Sequence, residues 1–86
     1  MEKNLYTARQ QKLLSLLRET RSRAGLRQED VAIQLNRPQS FVSKYESGER
    51  RLDILELYDV CEVLGIKLSD FAMTLEKVLS VNGKAK

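Results

Sequence analysis

The sequence predicts an all-α fold of five helices, and three observations support this prediction. Apolar residues recur at helical spacing in five stretches. Nowhere do apolar and polar residues alternate for long enough to indicate a strand. Glycine or asparagine follows four of the stretches, at positions 25, 36, 48 and 65. Both residue types tolerate the left-handed backbone conformation that closes many helices.

The first three helices are predicted at residues 7–23, 28–35 and 38–47. Pro38 suits the first turn of the third, where its missing N–H has no partner within the helix. From the apolar spacing we expect these inward-facing residues: Leu13, Leu14 and Leu17 in the first helix, Val31, Ala32 and Leu35 in the second, and Val42 and Tyr45 in the third.

The last two helices are predicted at residues 54–64 and 68–81. Asp53 and Glu56 have the spacing of a capping box that opens the fourth helix. The chain is expected to form one domain over residues 1–86, with its core within 13–79 and a frayed tail at 82–86. The expected inward-facing residues are Ile54, Leu57, Val60, Cys61 and Leu64 in the fourth helix, and Leu68, Phe71, Ala72, Leu75 and Val78 in the fifth.

Composition argues against several classes of protein. The chain has no apolar run near the roughly 18 residues of a membrane span, and its polar start lacks the apolar middle of a signal peptide. One cysteine, Cys61, fits a reducing cytoplasm and a core position. There is no histidine and no nucleophile–base pair, so we expect neither an enzyme nor a metal site, and no cofactor or small-molecule ligand.

Positive charge is concentrated in the first half of the chain. Residues 1–26 hold six Lys/Arg against two Asp/Glu, residues 27–51 hold five against four, and residues 52–86 hold four against six. The basic half is therefore the part that could face a polyanion.

The second and third helices indicate which polyanion. Only residues 36 and 37 separate them, so they must turn sharply and leave the start of the third helix protruding. An α-helix fits the major groove of DNA, and the N–H groups and positive dipole end of its first turn suit phosphate. The exposed face of the third helix is therefore predicted to contact DNA.

Residues 17–71 resemble the Cro/CI-type (XRE-like) helix-turn-helix family, the lambda-repressor-like domains. The resemblance depends on "LRQEDVA", "SKYESGERR" and "EVLG" at the expected separations. It implies a compact five-helix DNA-binding domain. It also implies a sequence-specific transcriptional regulator, for which we expect repression, that binds a two-fold symmetric operator of double-stranded DNA as a homodimer.

The resemblance also implies roles for single residues. It places Gln39, Ser40, Ser43 and Lys44 at base edges, Gln28, Ser47, Arg50 and Arg51 at phosphates, and Arg21 and Glu46 in a salt bridge between the first and third helices. The chain departs from the family pattern at two positions. Arg27 stands where relatives have a capping Thr or Ser and is expected to reach a phosphate instead, and Pro38 stands where many have Ser. Phe41 either packs on the domain, which we favour, or meets a thymine methyl group.

One alternative stays open from the sequence: an interaction protein, such as an antitoxin that captures a protein partner as well as DNA. The fifth helix matters here, because Met73, Leu79 and Val81 exceed what one core needs. The same residues could form a homodimer seam, which is the interpretation we favour.

Overall fold

The computed structural model describes the backbone of residues 7–83 and the side chains of residues 7–80. It contains five α-helices, and no strand occurs among the described residues. The helices are α1 (Ala8–Arg23), α2 (Gln28–Leu35), α3 (Gln39–Ser47), α4 (Ile54–Leu64) and α5 (Leu68–Gly83). The predicted all-α architecture is confirmed.

The helix ends follow the predicted residue chemistry. Asn36, Gly48 and Gly65 close α2, α3 and α4 in the left-handed conformation, with φ of 59°, 90° and 79°. Asp53 and Glu56 form the predicted capping box, since the Glu56 N–H donates to Asp53 Oδ1 at 2.7 Å and the Asp53 N–H donates to Glu56 Oε1 at 3.0 Å. Loops of three to six residues therefore join well-defined ends.

Three predicted boundaries need small corrections. Thr7 lies one residue before α1, as its N-cap, because its ψ of 160° is extended. Pro38 lies one residue before α3, as its N-cap, because its ψ of 154° is extended and not helical. Helix α5 continues to Gly83, two residues beyond the predicted end. Most of the expected frayed tail, residues 84–86, lies outside the described part of the chain.

The core lies where α1, α3 and α5 meet the pair formed by α2 and α4. Helix α1 packs against α3 and α5, while α4 packs against α2 and α5. Phe41 is also buried, at 7% exposure, and its ring packs edge-on against Tyr45 with the centroids 5.5 Å apart. The buried apolar residues are Leu14, Leu16, Leu17, Val31, Ala32, Phe41, Val42, Tyr45, Val60, Cys61, Leu64 and Phe71.

Two residues predicted to face inward are exposed. Ile54 is 64% exposed at the start of α4, although it shares its helical phase with buried Cys61. The fully buried residues of α4 all lie in its second half, and in its first turn Leu57 packs against the core while Ile54 does not. Ala72 is exposed beside buried Phe71 on α5. Periodicity gives the direction of a side chain, whereas burial requires another element on that side.

No helix within residues 7–83 is both long and apolar enough to span a membrane.

Candidate nucleic-acid interface

The corner between α2 and α3 exposes the start of α3. Asn36 reverses the chain, and the Arg37 N–H donates to the Ala32 carbonyl oxygen at 3.0 Å, as is typical of a helix end closed by a left-handed residue. Pro38 then sets the extended approach to α3. Because the inner faces of both helices carry buried Val31 and Val42, the opposite face of α3 is left outside.

Helix α3 separates cleanly into a core face and an outer face. Phe41, Val42, Tyr45 and Glu46 are buried. The four residues predicted to meet base edges lie together on the other side: Gln39, Ser40 and Lys44 are exposed and Ser43 is half-buried. Their spacing of i, i+1, i+4 and i+5 makes them one continuous row on the helix surface. We call these four residues the outer row.

Glu46 connects α3 to α1. Its side chain is 3% exposed and accepts from Arg21 through two bonds, Nε to Oε2 at 2.7 Å and Nη2 to Oε1 at 3.0 Å. Arg21 Nη1 also donates to the Leu26 carbonyl oxygen at 3.0 Å, and Arg18 Nη1 donates to the Glu46 carbonyl oxygen at 2.9 Å. The hydrogen bonds from its guanidinium to Glu46 raise the pKa of Arg21. Two arginines of α1 therefore hold the second half of α3.

Gln28 links this salt bridge to the outer row. Its Nε2 donates to Glu46 Oε1 at 3.0 Å, while its Oε1 accepts from Gln39 Nε2 at 3.4 Å. Gln28, the first residue of α2, is thus hydrogen-bonded to Gln39, the first residue of α3. The two helix starts, with their free N–H groups, therefore lie side by side. Gln28 is placed to brace Gln39, in addition to its predicted contact with phosphate.

Arg27 forms local ion pairs at the start of α2. Its Nη2 lies 3.0 Å from Asp30 Oδ1 and its Nε lies 3.1 Å from Asp30 Oδ2, which also accepts from the Arg27 N–H at 2.8 Å. Hydrogen bonds from the Arg27 guanidinium, and then from its N–H, lower the pKa of Asp30. Asp30 thus accepts from the N–H of the N-cap residue, as the N3 residue of a capping box does, and the Arg27 side chain stays 73% exposed.

Ser47 and Arg51 lie near the end of α3. The Ser47 hydroxyl donates to the Lys44 carbonyl oxygen at 3.1 Å and accepts from the Glu49 N–H at 3.4 Å, so it helps to close the helix. Arg51 is exposed in the following loop. Within the described residues, no carboxylate oxygen pairs with the side chain of Arg51 or of Lys44. These two cations face solvent.

Arg50, by contrast, belongs to a group that the sequence did not reveal. Its guanidinium makes a two-pronged contact with Glu56, with Nη1 to Oε1 at 2.9 Å and Nη2 to Oε2 at 2.8 Å. Arg37 Nη2 lies 3.5 Å from the same Oε2. Both guanidiniums also cover the Phe41 ring, at 4.2 Å for Arg37 and 4.9 Å for Arg50. We call Arg37, Phe41, Arg50 and Glu56 the arginine cluster.

Sequence reasoning missed Arg37 and the second role of Glu56. The capping-box spacing identified Glu56 as a helix cap, and this carboxylate also accepts from the two arginines. No spacing rule connects Arg37 to Glu56, which lies 19 residues later. Within residues 7–80, no group of three or more acidic, cysteine or histidine side chains could hold a metal ion.

Comparison with known proteins places this geometry in a family. The family model described as a helix-turn-helix domain matches residues 13–71. An XRE-family-like protein from Pseudomonas syringae pv. tomato strain DC3000 is 50% identical, with a TM-score of 0.77 over 81% of this chain and 85% of that one. No curated protein matches the chain.

A second solved structure covers more of the chain at lower identity. It is a point mutant of the restriction-modification controller protein C.Esp1396I, with a TM-score of 0.79 and 26% identity over 96% of this chain and 100% of that one. The TM-scores of 0.77 and 0.79 indicate a shared overall fold, and the α2–α3 corner lies inside residues 13–71, which the family model matches. This chain belongs to the XRE-like helix-turn-helix family of DNA-binding transcriptional regulators.

Proposed function

We propose that this protein binds a specific sequence of double-stranded DNA with α3 in the major groove and regulates transcription, as a repressor. The outer row carries this proposal, because it presents four side chains that can hydrogen-bond and no apolar one. Glutamine pairs well with adenine and lysine with guanine, whereas serine accepts or donates to either. The Arg21–Glu46 salt bridge and Gln28 hold this row in a fixed orientation.

Phosphate contacts are proposed around the outer row. Gln28 and Arg27 lie at the start of α2, and Ser47, Arg50 and Arg51 lie at the end of α3 or in the loop after it. Arg51 is the strongest of these candidates, since its charge has no described partner, whereas Arg27 and Arg50 are paired with carboxylates. Contacts of this kind position the protein and carry no sequence information directly.

Substitutions can separate the two kinds of contact. Gln39→Ala and Lys44→Ala should each cost roughly 1–3 kcal/mol on an operator selected from random DNA and relax base choice at one position. Arg51→Ala should weaken binding to all sequences alike. It should also reduce the salt slope, the steepness with which the logarithm of the affinity falls with the logarithm of the salt concentration, by about one unit. Both sets are titrated against the selected operator and a scrambled duplex at several salt concentrations.

The control for Lys44→Ala is Lys77→Ala, which removes the same charge from the exposed side of α5. Lys77→Ala should leave unchanged the ratio of the affinities for the selected operator and the scrambled duplex. If Gln39→Ala and Lys44→Ala behave in the same way, α3 does not read the sequence.

We further propose that the protein binds as a homodimer on two half-sites about one helical turn apart. Met73 supports a seam on α5, because this large apolar side chain is 53% exposed, and Leu79 is half-buried nearby on the same helix. The predicted third member, Val81, lies outside the described side chains.

Sedimentation should show a dimer at micromolar concentration or on the operator, and Met73→Asp should weaken it. Leu55→Asp is the matched control, since Leu55 is 72% exposed on α4. If Leu55→Asp dissociates the dimer and Met73→Asp does not, the interface lies on α4 and not on α5. A monomer that binds one non-palindromic half-site would refute the dimer.

A further inference from the structure

The arginine cluster has the composition of an anion site. Arg37 and Arg50 approach one carboxylate, that of Glu56, so the three side chains together carry a net charge of +1. Arg50 gives Glu56 the two parallel hydrogen bonds that guanidinium groups form equally with carboxylate and phosphate. Hydrogen bonds from Arg50 and from the Asp53 N–H lower the pKa of Glu56 to about 2. The carboxylate therefore stays ionised at neutral pH.

The cluster packs on α3, the helix that carries the outer row. Phe41 belongs to α3 and is buried. The guanidiniums of Arg37, just before Pro38, and of Arg50, in the loop after α3, lie against its ring. Their side chains remain 44% and 39% exposed, so the charge that Glu56 does not neutralise reaches solvent. Arg37 precedes α3 and Arg50 follows it, so with α3 in the major groove, as proposed above, these two guanidiniums flank the inserted helix on the sides where DNA phosphates lie.

We propose that the arginine cluster is a DNA phosphate site filled by the chain's own carboxylate, and that Glu56 thereby restrains sequence-independent binding. This inference rests on the proposed function. Glu56 occupies the guanidinium edge of Arg50 that a phosphate would take, and its negative charge repels a phosphate that approaches Arg37. The selected operator gains base contacts from the outer row, whereas a scrambled duplex depends on phosphate contacts alone. Releasing the site should therefore tighten binding to both duplexes, and the scrambled duplex, which has no base contacts, reports this change in phosphate binding by itself.

Glu56→Gln tests this restraint with little change to the fold. Glutamine can still accept from the Asp53 N–H, as it does in other capping boxes, while its neutral amide releases the two arginines. We expect tighter binding to the scrambled duplex and a salt slope steeper by about 0.9 for each arginine released. With one arginine released, the affinity gain should shrink about threefold between roughly 50 and 200 mM salt.

The matched control is Glu62→Gln, which removes one negative charge from the exposed face of the same helix, away from both arginines. Glu62→Gln should change the salt slope by much less than Glu56→Gln does. Adding Arg50→Gln to Glu56→Gln should cancel most of the gain, and thermal unfolding of each variant verifies that it is folded.

Three results would overturn the proposal: equal slopes for Glu56→Gln and Glu62→Gln, weaker binding by Glu56→Gln to both duplexes, or a gain that survives loss of Arg50. The second result would make Glu56 a residue that positions the arginines for contact. Failure of the proposed function looks different, because the unmodified protein would then bind neither duplex.

Discussion

Replacing Arg21 by methionine should be among the most damaging single changes in this domain. Methionine keeps much of the aliphatic packing, but it leaves the Glu46 carboxylate, 3% exposed, with Gln28 as its one remaining side-chain donor within the described residues. Breaking a buried ion pair typically costs about 3–5 kcal/mol. Because Gln28 remains and Arg21 is 17% exposed, we expect about 3 kcal/mol, at the lower end.

That loss is measurable in two ways. For a domain of this size, 1 kcal/mol shifts Tm by about 4–8 °C, so Arg21→Met should lower Tm by about 12–24 °C. Urea titration should show a lower midpoint with an unchanged slope. Glu46→Gln should cost less, about 2 kcal/mol, since Arg21 keeps its bond to the Leu26 carbonyl oxygen and is partly hydrated.

The double mutant isolates the interaction. Arg21→Met with Glu46→Gln should cost clearly less than the two single changes added together, with a coupling of about 1–2 kcal/mol. The matched cycle uses Arg27→Met and Asp30→Asn, an exposed pair for which coupling should not exceed about 1 kcal/mol. If the Arg21–Glu46 cycle gives no more coupling than this exposed pair, the salt bridge does not stabilise the position of α3.

Two further predictions follow from pKa values that the fold changes. The pKa of Glu56 falls from 4.5 to about 2, mainly through its bonds to Arg50, so the stability it adds is present above pH 4.5 and is lost as the pH falls toward 2. Urea midpoints measured across this range should decline less steeply for Glu56→Gln, and an equal decline would contradict the ion pair. Burial raises the pKa of the Cys61 thiol to about 11. A disulfide reagent at pH 8 should therefore label it only as urea unfolds the chain, whereas rapid labelling of the native protein would contradict its burial.

The sequence predicted local structure well because local rules depend on neighbouring residues. Helical spacing defined all five helices, and the residues at 36, 48 and 65 ended three of them in the left-handed conformation that their side chains permit. The outer row also followed from the sequence, since residues of one helix share a face wherever that helix lies. Resemblance to a family supplied the pair of Arg21 and Glu46, which no periodicity relates across 25 residues.

Tertiary structure alone decided which faces are covered and which distant charges meet. Ile54 has the phase of a core residue but lies one turn before the fully buried part of α4, so its exposure depends on where other elements end. Arg37, Arg50 and Glu56 come from three separate segments, and their contact with one another and with Phe41 depends on the angle between α3 and α4. Propensity and spacing act within one element, whereas ion pairs and burial between elements are set by packing of the whole chain.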